Sequence, residues 1–268
     1  MPDVPAPTFS IVIPCFNEEA NLRSGCLERV AEYLADASDI AEILVVDDGS
    51  ADASREIIIA VAARHRRVRL LAEPHRGKAG AVIAGINAAG GDFVLFTDMD
   101  QATPIEEIAK IRPKIDQGFD IVVGSRAGRA GAPMVRKLMA SGFSLIRGLI
   151  LDLGGVRDTQ CGFKALRADV ARRVCANLRI YRPDIQQARG AAVTAGFDAE
   201  LLYVARRIGA RVAEVPVTWH YVGTRRVHPI RESWRGIKGL LAIRLAAARG
   251  EYDRVADSAA AGRERATG

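Results

Sequence analysis

"EILVVDDGSADASREIIIAVAARH", residues 42–65, sets the reading of the whole chain. An unbroken run of apolar and β-branched residues is the pattern of a strand buried on both faces. It stops at Asp47 and Asp48, turns through Gly49, and gives way to a segment with apolar residues at helical spacing, with Ser50 placed as its N-cap. A strand, a turn and a helix in that order make one βα unit.

The same unit repeats on either side. "FSIVIP" (9–14) precedes "NEEANLRSGCLERVAEYLA" (17–35), where Leu22, Cys26, Val30 and Tyr33 fall at helical spacing. "RVRLLAE" (67–73) precedes "GKAGAVIAGINAAGG" (77–91), and "DFVLFTDMD" (92–100) precedes a helix start in which Thr103 and Glu106 are spaced as a capping box with Pro104 at the first helical position. "DIVVGSR" (120–126) closes the series. Strands alternating with helices predict an α/β fold with a mostly parallel central sheet and helices on both faces. Residues 155–174 read as a loop leading into a helix. Residues 197–219 read as a helix, with Leu201, Val204, Ala205 and Ile208 on one face, and then a strand.

Such a sheet binds ligands at the carboxyl ends of its strands. Asp47 and Asp48 end one predicted strand, Asp98 and Asp100 follow another, and Arg126 follows a third. Four carboxylates on one edge repel each other unless a cation or donor groups compensate, and a divalent metal bridging to a diphosphate does so. Each aspartate also has a plain reading as a turn or cap residue. "HRGKAGAV" (75–82) opens a helix with glycines around Lys78, a turn whose N–H groups can cradle phosphate while the lysine adds a point charge. It lacks the spacing of a Walker A motif, and no GxGxxG follows the first strand, which counts against a nicotinamide cofactor.

With 268 residues, 49% of them hydrophobic, the chain can build one large core. A formal charge of +6 favours an anionic partner. Nucleic acid is disfavoured, because the acidic strand ends would meet its phosphates and no binding module is present. Cys15, Cys26, Cys161 and Cys175 are scattered without metal-ligand spacing, as in a reducing compartment. No signal peptide is expected, since "FSIVIPCF" is too short an apolar region and has no basic leader, and no run approaches the roughly 20 apolar residues of a membrane span.

Taken in order, "FSIVIPCFNEE", "ILVVDDGSADAS", "HRGKAGAV", "FTDMDQATP", "IVVGSR", "DTQCGFK" and "FDAELLYVARRIGARVAEVPV" resemble glycosyltransferase family 2, most closely its polyprenyl-phosphate branch of dolichyl-phosphate glucosyltransferases and mannose synthases. The resemblance implies a GT-A fold and a nucleotide-diphospho-sugar donor. It places Asp48, with Asp47 beside it, on the nucleoside, and Pro14, Asn17 and Glu18 around the base and ribose. Asp98 and Asp100 match a DxD motif holding Mg²⁺ or Mn²⁺ against the diphosphate. Arg126 and Arg136 match arginines that engage phosphate groups. Asp198 is read as an acceptor-positioning group or base, or alternatively as a helix N-cap, and Asp158 and Gln160 as shaping the sugar and acceptor pocket. The glucosyl branch, and so UDP-glucose, is the nearer match, although Met99 and Gln101 replace Ala and Leu of its pattern.

An anionic acceptor such as a polyprenyl phosphate needs arginines more than a base, and Arg225, Arg226 and Arg231 join the candidates. GDP-mannose as donor, a soluble or polysaccharide hydroxyl as acceptor, and a catalytically silent nucleotide-sugar-binding subunit are the alternatives. Residues 1–222 are read as the catalytic domain, 223–250 as a basic amphipathic segment and 251–268 as a disordered tail. In the middle segment Ile230, Trp234, Ile237, Leu241 and Leu245 share one helical face, with Arg231, Arg235, Lys238 and Arg249 largely off it. Such a helix lies in an anionic membrane interface or packs on the domain with a solvated basic side. The expected location is the cytoplasm, peripheral on the membrane.

Overall fold

The computed structural model describes residues 6–126, 147–148, 150–182, 195–220 and 229–253. Its centre is a seven-stranded sheet of β1 (Phe9–Cys15), β2 (Ile40–Asp47), β3 (Val68–Ala72), β4 (Phe93–Phe96), β5 (Ile121–Ser125), β6 (Lys164–Arg167) and β7 (Val212–Pro216), in the order β3-β2-β1-β4-β6-β5-β7. Every pairing is parallel except those of β6, which runs antiparallel to β4 and β5.

Alternation along the strands splits the core in two. Val12, Leu44, Val46 and Val94 face one side, under α4 (Gly77–Ala88), α6 (Ala168–Ala176), α7 (Ala195–Arg207) and α8 (Pro229–Ala248). Ile11, Ile13, Ile43, Val45 and Leu95 face the other, under α1 (Glu19–Arg23), α2 (Cys26–Tyr33), α3 (Ser54–Ala62) and α5 (Ile108–Asp116). With both faces covered, the strands need continuous apolar runs, which is why the βα pattern stands out in the sequence.

Four local expectations change. The single helix expected over 17–35 is two, because Gly25 takes a left-handed φ of +79° between α1 and α2, and Tyr33 ends up 46% exposed. Ser50 does not cap α3, which starts at Ser54. Its hydroxyl instead accepts from Asn17 N at 3.0 Å and its N–H donates to Asp47 Oδ1 at 3.1 Å. The Thr103 capping box does not form: a 3₁₀ turn over Ile105–Glu107 has no side-chain cap and leads into α5. The loop expected ahead of α6 contains β6, whose four residues fill the gap between β4 and β5.

The chain read as a tail is ordered at its start. Tyr252 is fully buried and its hydroxyl donates to Glu200 Oε1 at 2.6 Å, so packing continues through Tyr252, while 254–268 lie outside the described residues.

Gly85 is where α4 lies on β1 and β2. A Cβ there would collide with the methyls of Val12 and come within 3.2 Å of Val46 Cγ2. Gly85→Ala is therefore expected to cost about 1–3 kcal/mol, as overpacking of a tight contact does. Urea unfolding should show a lowered midpoint with an unchanged m-value.

Candidate active site

The carboxyl ends of β1, β2, β4 and β5 and the start of antiparallel β6 share one edge of the sheet. The expected charges gather there, but they are partnered differently from the sequence reading.

Asp47 and Asp48 are 0% and 2% exposed, and the protein itself supplies their donors. Asp47 Oδ2 receives Arg55, with Nη2 at 2.6 Å, and its Oδ1 receives Ser50 N. Asp48 Oδ1 accepts from Arg76 N at 2.7 Å, and Oδ2 accepts from Gly77 N and meets His75 Nδ1, each at 2.8 Å. The N-terminal turn of α4, expected to cradle a phosphate, thus holds the Asp48 carboxylate. A helix N-terminus favours any anion, and the one tethered nearby occupies it. Of the four carboxylates expected to need a cation, these two are compensated internally.

Phe16 stacks on His75 at 4.1 Å between ring centroids, over that turn. Asn17, at a left-handed φ of +53°, accepts from Ala51 N at 2.8 Å, and Glu18 N donates to Ser54 Oγ at 2.8 Å. The segment from Pro14 to Glu18 is thereby clamped onto the β2–α3 turn. Cys15 beside it is pushed up to about 12, by burial first and the Asp47 charge second, which removes it as a nucleophile.

Asp98 and Asp100 find different partners, although each lies within the other's charge. Lys78, in the first turn of α4, bonds Asp98 Oδ1. The Asp98 carboxylate lies flat against the backbone of Gly162, where any Cβ would collide with it. Asp100 accepts from Ala102 N at 3.0 Å, and its carboxyl is pushed up, chiefly by burial and then by Asp98. Gln101 takes a left-handed φ of +49° to make this turn and donates from Nε2 to Asp98 O at 2.8 Å. Burial pulls the Lys78 ammonium down, but Asp98, Asp198 and Asp100 outweigh it and hold it above the ordinary lysine range.

The chemistry of this donor set fits a small hard cation. Among the described residues no group of three or more His, Cys, Asp or Glu is arranged to hold a metal ion by itself. Two adjacent carboxylates that repel each other suit Mg²⁺ or Mn²⁺, ions that keep open positions for water and substrate phosphate.

Asp198, in the first turn of α7, reaches the same edge from the side of the sheet that also carries α4, and pairs with Lys164 at 2.6 Å. Arg126 and Asp158, expected to face phosphate and sugar, face each other. Nε and Nη2 of Arg126 each donate at 2.7 Å to the two oxygens of Asp158 in a bidentate pair, and Arg126 N adds a bond at 3.0 Å. Burial works against the Arg126 charge, yet the bonds from Asp158 hold its guanidinium pKa above normal. Arg126 also lies 5.9 Å from the Trp219 ring centroid, and His220 N donates to Ala102 O at 2.7 Å, which lays the chain after β7 beside the Asp98–Ala102 turn. Gln160 is partly buried in the turn that follows Asp158. Arg136, Arg225 and Arg226 lie outside the described residues, and of Arg231 only its place in α8 is described.

Lys164 was not among the sequence candidates. The signal was there: a lysine at the end of "DTQCGFK", directly after Phe163 and opening an otherwise unremarked strand. Trp219 was passed over in the same way, as the last residue of a strand-like run.

The family described as "Glycosyl transferase family 2" matches residues 10–175. A dolichyl-phosphate beta-glucosyltransferase of Trichomonas vaginalis is 35% identical over 233 residues, 81% of this chain and 65% of that protein. The chain thus spans just under two thirds of that relative's length. A dolichyl-phosphate beta-glucosyltransferase of Dictyostelium discoideum is 30% identical over 88% of this chain and 73% of its own. Among solved structures, glucosyl-3-phosphoglycerate synthase from Mycobacterium tuberculosis, in complex with Mn²⁺, UDP-glucose and phosphoglyceric acid, superposes with a TM-score of 0.64. The two share 21% identity, over 89% of this chain and 80% of that one. That likeness establishes a shared fold, GT-A.

The raised carboxyl of Asp100 has a stability consequence of fixed sign. A carboxyl raised in the folded state costs stability when ionised, fully above its folded titration and not at all in acid, where it is protonated whether folded or not. Asp100→Asn is expected to stabilise the protein by about 1 kcal/mol at pH 7, the gain typical of relieving a strained functional site. Thermal melts should show that gain vanishing as the pH falls below the ordinary carboxylate range.

Proposed function

Because the chain belongs to glycosyl transferase family 2, we propose that it transfers glucose from UDP-glucose onto a polyprenyl phosphate, inverting the anomeric centre to give a β-linked polyprenyl-phosphate sugar. The observation that carries this reading is the Lys78–Asp98 pair seated on Gly162, next to Asp100 and in reach of Asp198. The names of both curated relatives support glucose as the sugar and a lipid phosphate as the acceptor.

In this mechanism Asp98 and Asp100 are the residues that would hold Mg²⁺ or Mn²⁺, and the ion would supply positive charge to the donor diphosphate. Lys78 contributes a fixed ammonium at the same place. Its charge is set in advance by the surrounding carboxylates, so it costs no reorganisation as the leaving diphosphate gains charge. The bond formed joins an acceptor phosphate oxygen to the sugar C1. The bond broken is that from C1 to the donor phosphate oxygen, whose electron pair leaves with UDP. A lipid phosphate is largely dianionic at neutral pH, with a second pKa of about 6, and needs no base to attack. Asp198 accordingly acts by orienting the acceptor side rather than by taking a proton. Arg126 and Asp158 hold the wall between β5 and the 158–163 turn, and Arg136, Arg225, Arg226 and Arg231 are the proposed partners of the acceptor phosphate.

The outer face of α8 supports a membrane-borne acceptor. Leu240, Ile243 and Ala246 face the core, while Trp234, Leu241 and Leu245 are 59%, 52% and 52% exposed. Exposed Lys238, Arg244 and Arg249 border them, and Lys238 Nζ lies 5.7 Å from the Trp234 ring centroid. An apolar strip ringed by cations complements an anionic bilayer surface. No helix among the described residues is long and apolar enough to cross a membrane. The proposed location is peripheral, on the cytoplasmic face.

The test offers purified protein a short polyprenyl phosphate with Mg²⁺ or Mn²⁺ and, in turn, labelled UDP-glucose, GDP-mannose and other donors. Label should enter the organic phase from UDP-glucose alone, and Asp98→Ala should reduce transfer by about 100-fold or more, as loss of transition-state charge stabilisation does. Transfer only to water-soluble acceptors would overturn the lipid assignment.

Trp234→Glu, Leu241→Glu and Leu245→Glu combined should abolish co-sedimentation with vesicles containing phosphatidylglycerol. Turnover of UDP-glucose in detergent should stay within about threefold of wild type, since distant surface sites act independently.

A further inference from the structure

We propose that Lys164 is a positioning residue for the transfer reaction, fixing the Asp198 carboxylate from beneath the site. Lys164 opens β6, where its backbone is in register with Phe96 of β4 and Val123 of β5, so its Cα is pinned between two strands. Its side chain is fully buried. The ammonium donates to Cys161 O at 2.5 Å and to Asp198 Oδ1 at 2.6 Å, and it stands 5.1 Å from the Phe96 ring centroid.

A buried ammonium is a poor device for stability, because a well-packed apolar side chain of the same volume generally does as well or better. What it provides is direction. Asp198 sits in the first turn of a helix whose preceding residues 183–194 lie outside the described chain, and Lys164 ties it to the central sheet. The Asp198 charge already reaches Lys78, which holds Asp98. Lysine and aspartate therefore alternate from the floor of the site upward: Lys164, Asp198, Lys78, Asp98. Holding Asp198 from below keeps it from collapsing onto Lys78 and drawing that ammonium off Asp98.

The inference rests on the transfer reading, and the experiment separates the two. Wild-type turnover is scored as label leaving UDP-glucose for lipid or for water, and its complete absence would overturn the reading and the inference together. With the wild type active, Lys164→Met, Asp198→Asn and the double variant form a cycle. Lys164→Met should lower kcat by about 10- to 100-fold while the donor KM stays within about threefold, the pattern of an interaction that matters in the transition state. The double variant should be within about twofold of Asp198→Asn alone, because residues acting as one unit do not add. Multiplicative losses, an unchanged kcat in Lys164→Met, or a loss confined to donor KM would each overturn it. Should Lys164→Met melt below the assay temperature, Lys164→Gln, which can still donate to the Cys161 carbonyl, is read in its place by the same criteria.

Discussion

A carboxylate at the end of a buried parallel strand has to find a positive partner, and the architecture of the candidate site's edge follows from how each one does so. Asp47 takes Arg55, and Asp48 takes the amide groups that open α4. Those two bonds fix the β2–α3 and β3–α4 turns and leave α4 aimed so that Lys78, one residue further on, meets Asp98. Two acidic residues are thus built into the wall, while Asp98, held by Lys78, and Asp100 stand as the proposed ligand-binding pair. The Asp100 carboxyl is raised first by its burial and then by the Asp98 charge beside it.

The reversal of β6 is the second element of the design. A parallel strand in its place would enter from the opposite edge. Running antiparallel, β6 presents its first residue, Lys164, and the preceding Gly162 to the edge where Asp98 stands. Gly162 lets the Asp98 carboxylate lie directly on the backbone, and Lys164 reaches across to Asp198 on α7. Through α7 the same edge is joined to α8: Gly239 of α8 passes so close that a Cβ there would lie 3.3 Å from Gly196 Cα, two residues before Asp198. The helix carrying the exposed Trp234, Leu241 and Leu245 is therefore packed against the helix carrying the candidate residue Asp198.

The sheet was legible because strands covered on both faces are written as unbroken apolar runs, as in "ILVV" and "FVLF". β6 was not, since "KALR" is short and bracketed by charges, and its strand state depends on slots that only β4 and β5 create. The candidate aspartates were legible as a set but not by partner. Asp48 meets amides about 28 residues along the chain and Asp158 meets a guanidinium 32 residues away, and no local spacing encodes either contact. Lys164 escaped notice because a lone lysine ordinarily marks solvent. Ser50 and Thr103 misled for a related reason: a hydroxyl that can cap a helix can also bridge two loops or turn into the core, and tertiary contacts decided.

The Asp98–Asp100 edge is proposed to take a nucleoside diphosphate through a shared divalent cation. Isothermal titration of the wild-type protein with UDP, in Mn²⁺ and then in EDTA, tests it without reference to any acceptor. Saturable binding is expected in Mn²⁺, weakening by about tenfold or more on chelation, a loss that would follow from removing the ion between two sets of negative charge. Equal affinity in EDTA would contradict it and would mean that the edge binds its ligand by some other arrangement of charge.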